Sequence, residues 1–115
     1  MMSALETDLL DAIERLGLPT PARQHPLQLP SGREIRIDLA FPEVALGVEP
    51  GGSWWHGGNV RMRQDYARDL ECAAIGWQII RFDEEQMKDA SWCADQVRNA
   101  YRARSRTREY RPPAA

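Results

Sequence analysis

Between Glu34 and Glu49 the chain alternates apolar and polar residues on either side of one proline, and this pattern restricts its folding more than any other stretch. Ile35, Ile37, Leu39 and Phe41 alternate with Glu34, Arg36, Asp38 and Ala40, while Val44, Leu46 and Val48 alternate with Ala45, Gly47 and Glu49. A period of two marks strands with one buried face. Pro42-Glu43 supplies the turn between them. With Phe41 paired to Val44, Asp38 falls opposite Gly47 and Glu49 opposite Arg36. The two acids then share a face as diagonal neighbours about 7–8 Å apart. Carboxylates so placed can converge on one cation, and Gly47 would leave room for a ligand near the backbone. The solvated face of a hairpin accounts for the same two acids equally well.

At 115 residues the chain is expected to be one domain with a single modest core. No apolar run reaches membrane-spanning length and the start lacks the pattern of a signal peptide, so a cytoplasmic location is expected. Cys72 and Cys93 fall in expected helices without CxxC or CxxH spacing, which suggests two packed thiols rather than a disulfide or a zinc site. The net charge of −2 conceals an asymmetry, since Arg98, Arg102, Arg104, Arg106, Arg108 and Arg111 face the single acid Glu109 near the C-terminus. A basic terminal segment beside an acidic body suits a polyanion, because arginines on phosphates release counterions. A solvated helix end running into a flexible tail has the same composition. The expected division is a domain over 1–101 and a basic, flexible tail over 102–115.

The remaining elements follow from spacing and punctuation. Ser3-Ala4-Leu5-Glu6 reads as a capping box, and Leu5, Leu9, Ile13 and Leu16 form the stripe of a first helix ended by Gly17 and Pro19. A loop through Pro21 and Pro26 leads to a short strand over Leu27–Leu29, then to the hairpin. Gly51–Gly58 is a glycine-rich loop carrying Trp54, Trp55 and His56. Met62, Tyr66, Leu70 and Ala73 or Ala74 recur at helical spacing up to Gly76, and Trp77–Phe82 reads as a buried strand. A last helix, with Trp92, Val97, Ala100 and Tyr101 as candidate buried residues, precedes the basic tail.

The order helix, three strands, helix, strand, helix is that of a restriction-endonuclease-like α/β core, a mixed sheet of about four strands flanked by helices. Asp38-Leu39-Ala40-Phe41-Pro42-Glu43, Leu46-Gly47-Val48-Glu49, Gly52-Ser53-Trp54-Trp55-His56-Gly57, Asp65 with Arg68-Asp69-Leu70, and Gly76-Trp77-Gln78-Ile79-Ile80-Arg81-Phe82 follow one another along the chain. In that order they resemble the very-short-patch repair (Vsr-like) endonucleases and related domains of the PD-(D/E)XK superfamily.

The resemblance implies a metal-dependent DNA endonuclease that hydrolyses phosphodiesters, nicking one strand or directed to mismatches. Asp38 and Glu49 would hold Mg2+ or Mn2+, with Glu6 as an acid that some relatives direct at the metal. His56 is similar to a histidine acting near metal and phosphate. Trp54 and Trp55 resemble aromatics inserted beside a mismatched pair. Arg61, Arg63, Arg68, Arg102 and Arg104 are the candidate DNA contacts. A homodimer is compatible with a core that cuts one strand. Each assignment has a simpler counterpart: Glu6 in the capping box, the tryptophans over a sheet edge, Asp65, Arg68 and Asp69 in ordinary helix ion pairs. Arg81 stands either beside the site or against a helix acid.

The chain also departs from the family. Where the superfamily places a lysine two residues after the second acid, and many close relatives an aspartate, Glu49-Pro50-Gly51 has glycine. Arg61 or Arg63 could bring a charge there, although arginine cannot act as a base. A fold that has lost its chemistry and serves as a nucleic-acid-binding or protein-binding module, such as a phage or mobile-element factor engaging a host protein, is therefore the alternative expectation.

Overall fold

A computed structural model describes residues 3–50 and 58–109, with the backbone alone over 58–62. The elements are α1 (Ala4–Arg15), β1 (Ala22–Gln28), β2 (Glu34–Phe41), β3 (Leu46–Glu49), α2 (Gly58–Ala74), β4 (Gln78–Arg81), the single-turn α3 (Glu84–Met87) and α4 (Ala90–Glu109). The four strands lie in the order β1-β2-β3-β4. β1, β2 and β3 pair antiparallel, and β3 pairs β4 in parallel. The result is the expected α/β core, a mixed four-stranded sheet flanked by helices.

The first face of the sheet is apolar. Leu39, Phe41, Leu46 and Val48 meet Leu9 and Ile13 of α1, Met87 of α3, and Cys93, Ala94 and Val97 of α4. Ser3 starts α1 by accepting the Glu6 backbone N–H at 3.2 Å, so the cap uses the main chain of Glu6. Tyr101 meets Phe41 edge-on, with ring centroids 5.3 Å apart. Leu29, Ile35, Ile37, Ala40 and Cys72 form a second, smaller cluster that includes α2. Cys72 and Cys93 are thus buried in different clusters.

Three expectations are corrected. First, the strand expected over Leu27–Leu29 spans Ala22–Gln28, and Pro26 is tolerated because β1 is the sheet edge. Second, the even alternation expected along β2 breaks. Residues two apart on a strand normally share a face, yet Ile37 joins one cluster and Leu39 the other. The break falls at Asp38, beside Gln24, whose φ of 50° is left-handed. Third, the boundary expected after residue 101 lies inside a helix, since α4 continues through Arg102 to Glu109.

Candidate active site

Asp38 and Glu49 come together more closely than the hairpin pattern suggests. Pro42–Val44 forms a 3-10 turn, and Ala45 closes it in a left-handed conformation with its N–H on the Pro42 carbonyl. That longer turn displaces the expected register by two residues. Phe41 pairs with Leu46, Ala40 with Gly47, and Leu39 with Val48. Asp38 and Glu49 each follow directly on the Leu39–Val48 pair that ends this ladder. The two carboxyl groups come close enough to share a hydrogen bond.

Gly47 serves packing rather than ligand access. A Cβ there would meet Ile79 Cδ1 at 2.7 Å and Ile37 Cγ2 at 2.8 Å. The space that the sequence pattern assigns to a ligand is filled by two isoleucines.

The polar side of the site comes from α2. Asp65, Arg68, Asp69 and Cys72 recur at i, i+3, i+4 and i+7, the spacing of one helical face. Arg68 Nη2 donates to Glu49 Oε1 at 2.7 Å and to the Arg36 carbonyl at 3.1 Å. Arg81, in register with Glu49 on the parallel neighbour strand, donates through Nε and Nη2 to the two Asp69 oxygens at 3.2 and 2.8 Å. A buried Asp65 oxygen, Oδ2, has no hydrogen-bond partner among the described residues. Of the apolar residues that recur along this helix, Tyr66 is 55% and Leu70 73% exposed, while charged residues point at the sheet. Met62 itself lies among the residues described by backbone alone.

Glu49 is the electrostatic centre of this arrangement. It is 6% exposed. Burial, then the hydrogen bond and negative charge of Asp38, push its carboxyl up to about 8, against the opposing pull of Arg68 and Arg81. Two carboxyl groups that compete for charge at one point form a ready seat for a proton or a cation. Asp38 in turn accepts from Gln24 Nε2 at 3.0 Å. Both Asp38 and Glu6 line a cleft of about 330 Å3 with Arg23, Gln24, Leu39 and Pro50. Glu6 therefore caps α1 with its backbone and stands at the cleft with Asp38.

The other expected site residues are distributed as follows. Arg63 is exposed on α2, and Arg102 is exposed on α4. Arg104 is engaged with the main chain: Nε donates to the Val44 carbonyl at 2.6 Å and Nη2 to the Gly76 carbonyl. It fastens α4 to the turns that precede β3 and β4. Trp54, Trp55 and His56 lie outside the described residues, as does the side chain of Arg61. Arg36 does not close over the acids; it donates to the Gln24 carbonyl at 3.3 Å. Gln24 had no signal in the sequence, because its strand reads as a loop.

The donor set suits a hard dication. Two neighbouring carboxylates offer oxygen ligands, and a dication would offset the burial and the Asp38 charge that raise Glu49. Among the described residues no group of three or more His, Cys, Asp or Glu surrounds one point, so such an ion would retain water.

Comparison with known proteins adds relatives without chemistry. Two uncharacterized proteins of Mycobacterium tuberculosis, Rv2248 and MT2308 from different strains, are each 32% identical over 78 residues. The match covers 68% of this chain and 29% of each relative, so the chain spans under a third of their length. No family model and no solved structure matches the chain. Among the described residues no helix is long and apolar enough to cross a membrane.

Proposed function

We propose that this chain is a metal-dependent DNA endonuclease domain of the Vsr-like type, acting in the cytoplasm on phosphodiester bonds. The observation that carries the reading is that Asp38 and Glu49, each one residue beyond the Leu39–Val48 pair, are close enough for their carboxyl groups to share a hydrogen bond, with Arg68 bonded to Glu49. Asp38 and Glu49 would hold Mg2+ or Mn2+, and Glu6 lines the same cleft as Asp38. Bound there, the ion supplies charge stabilisation at a scissile phosphate and a more acidic water. Glu49 must be ionised to serve as a ligand, and Arg68 favours that form. Arg68 also brings a fixed positive charge to the place where phosphate charge would accumulate. Gln24 holds Asp38, and the exposed Arg63 and Arg102 offer charges to the DNA backbone. His56, Trp54 and Trp55 retain the roles that the family resemblance implies, and a homodimer would let two cores cut two strands.

One observation favours a second reading. Pro50 and Gly51 stand where a charged residue follows the second acid in the superfamily, and Arg68 already satisfies Glu49. A nuclease fold without chemistry, kept as a module that binds nucleic acid or a host protein, is consistent with that pair.

Supercoiled plasmid and mismatched duplexes, incubated with the protein in Mg2+ or Mn2+, separate the two. Cutting that requires the metal and disappears in Asp38→Ala and Glu49→Ala supports the endonuclease. Duplex binding without cutting on every substrate, unchanged in both variants, supports the module.

A further inference from the structure

We propose that Gln24 is a positioning residue for Asp38: a left-handed backbone aims its amide at the carboxylate and sets that group's orientation in the cleft. The inference rests on the reading of Asp38 as a cation ligand.

Gln24 has φ 50°, a conformation that L-residues with a long side chain rarely adopt and that glycine or asparagine occupies more easily. Among the described residues glycine takes three other left-handed positions, Gly17, Gly32 and Gly76, and Ala45, with only a methyl side chain, takes a fourth. At residue 24 a long side chain occupies this backbone and is engaged: its amide reaches Asp38 Oδ1 at 3.0 Å. In the β1–β2 ladder Arg23–Leu39 and His25–Ile37 are paired, and Gln24 and Asp38 stand between them. The strain thus sits directly beside the candidate ligand, the pattern expected where strain serves function.

The surroundings hold Gln24 from the other side. Its carbonyl accepts from Arg36 Nη1 at 3.3 Å, and the Arg36 carbonyl accepts from Arg68 Nη2, the atom that also donates to Glu49. Gln24 and Arg68 therefore each hold one acid of the pair, joined through Arg36. Groups that orient ligating carboxylates in this way typically change metal affinity about 10–100-fold when removed.

Titration calorimetry with Mn2+ alone, combined with thermal melting of the metal-free protein, tests the proposal on wild type, Asp38→Ala and Gln24→Gly. Gln24→Gly keeps the left-handed backbone and removes the amide. The expected result is Mn2+ binding weakened roughly 10-fold or more with the melting midpoint maintained. Should Gln24→Gly fail to fold, Gln24→Asn, which tolerates the backbone but withdraws the amide by one carbon, is read the same way. Wild-type affinity in the variant, while Asp38→Ala abolishes binding, overturns the positioning role alone. A midpoint that falls together with affinity also overturns it, since Gln24 is then structural. No Mn2+ binding by wild type, or equal binding by Asp38→Ala, overturns the cation reading and this proposal with it.

Discussion

The two faces of the sheet are covered by helices of opposite character. α1 and α4 press an apolar stripe onto Leu39, Phe41, Leu46 and Val48, whereas α2 turns Asp65, Arg68 and Asp69 inward and leaves Tyr66 and Leu70 in solvent. Apolar burial is non-directional and tolerates many partners, but a buried charge must find a specific one. Glu49 and Arg81 lie side by side in neighbouring strands, so the helix above them has to supply an arginine and an aspartate. One face carries the larger of the two apolar clusters. The other tolerates an energetically costly polar layer, which is the reason to look for function there.

The contrast can be broken or sharpened by measurement. Phe41→Ala, on the apolar face, is expected to destabilise by about 3–5 kcal/mol in urea denaturation. A much smaller loss would mean that the core lies elsewhere. On the polar face the largest effect should be a dependence on pH. Folded Glu49 keeps its proton up to about 8, whereas its ordinary value is 4.5, so the folded state binds a proton that the unfolded chain has released. Its contribution is full below 4.5 and is lost as pH rises through 8, at no more than about 1.4 kcal/mol per pH unit. Denaturation of metal-free protein from pH 5 to 8 should show stability falling, and Glu49→Gln should flatten the slope.

Arg68→Leu should cost roughly 1–3 kcal/mol at pH 8, where Glu49 would lose its cation partner, and much less at pH 5, where the acid stays neutral. An equal loss at both values would show that Arg68 acts through packing. Gly47→Ala should cost about 1–3 kcal/mol by overpacking Ile37 and Ile79, with a crystal structure or amide exchange showing whether β2 and β4 move apart. The smallest effect belongs to Leu70→Glu. At 73% exposure it should change stability by less than about 0.5 kcal/mol, and a larger loss would mean that this outer face of α2 is covered by something else.

Much of the fold was legible before any coordinates. The Leu5, Leu9, Ile13, Leu16 stripe and the short apolar run before Phe82 obey periods that depend only on local geometry. The candidate acids were legible too, as polar positions in two strands that pair as neighbours. Their close approach was not. It depends on Pro42–Val44 taking a 3-10 turn and on Ala45 turning left-handed, a choice that a proline-containing turn does not announce. Gly47 was misread for a related reason: a strand glycine admits either a ligand or a neighbour, and Ile37 and Ile79 decide which. The inward face of α2 was not legible from its apolar residues, because the side that meets the sheet carries Asp65, Arg68, Asp69 and Cys72.

By itself the sequence determined the α/β order, the amphipathic helices that build the apolar core, and the two neighbouring strands that carry the acids, because these follow from periodicity and turn chemistry within short stretches. Only the tertiary structure decided which partner each buried charge receives. Arg68 reaches Glu49 from 19 residues away and Arg81 reaches Asp69 across 12, while Arg104 spans 60 to hold the Val44 carbonyl. Such pairings are set by how strands and helices stack in space. No local pattern encodes them.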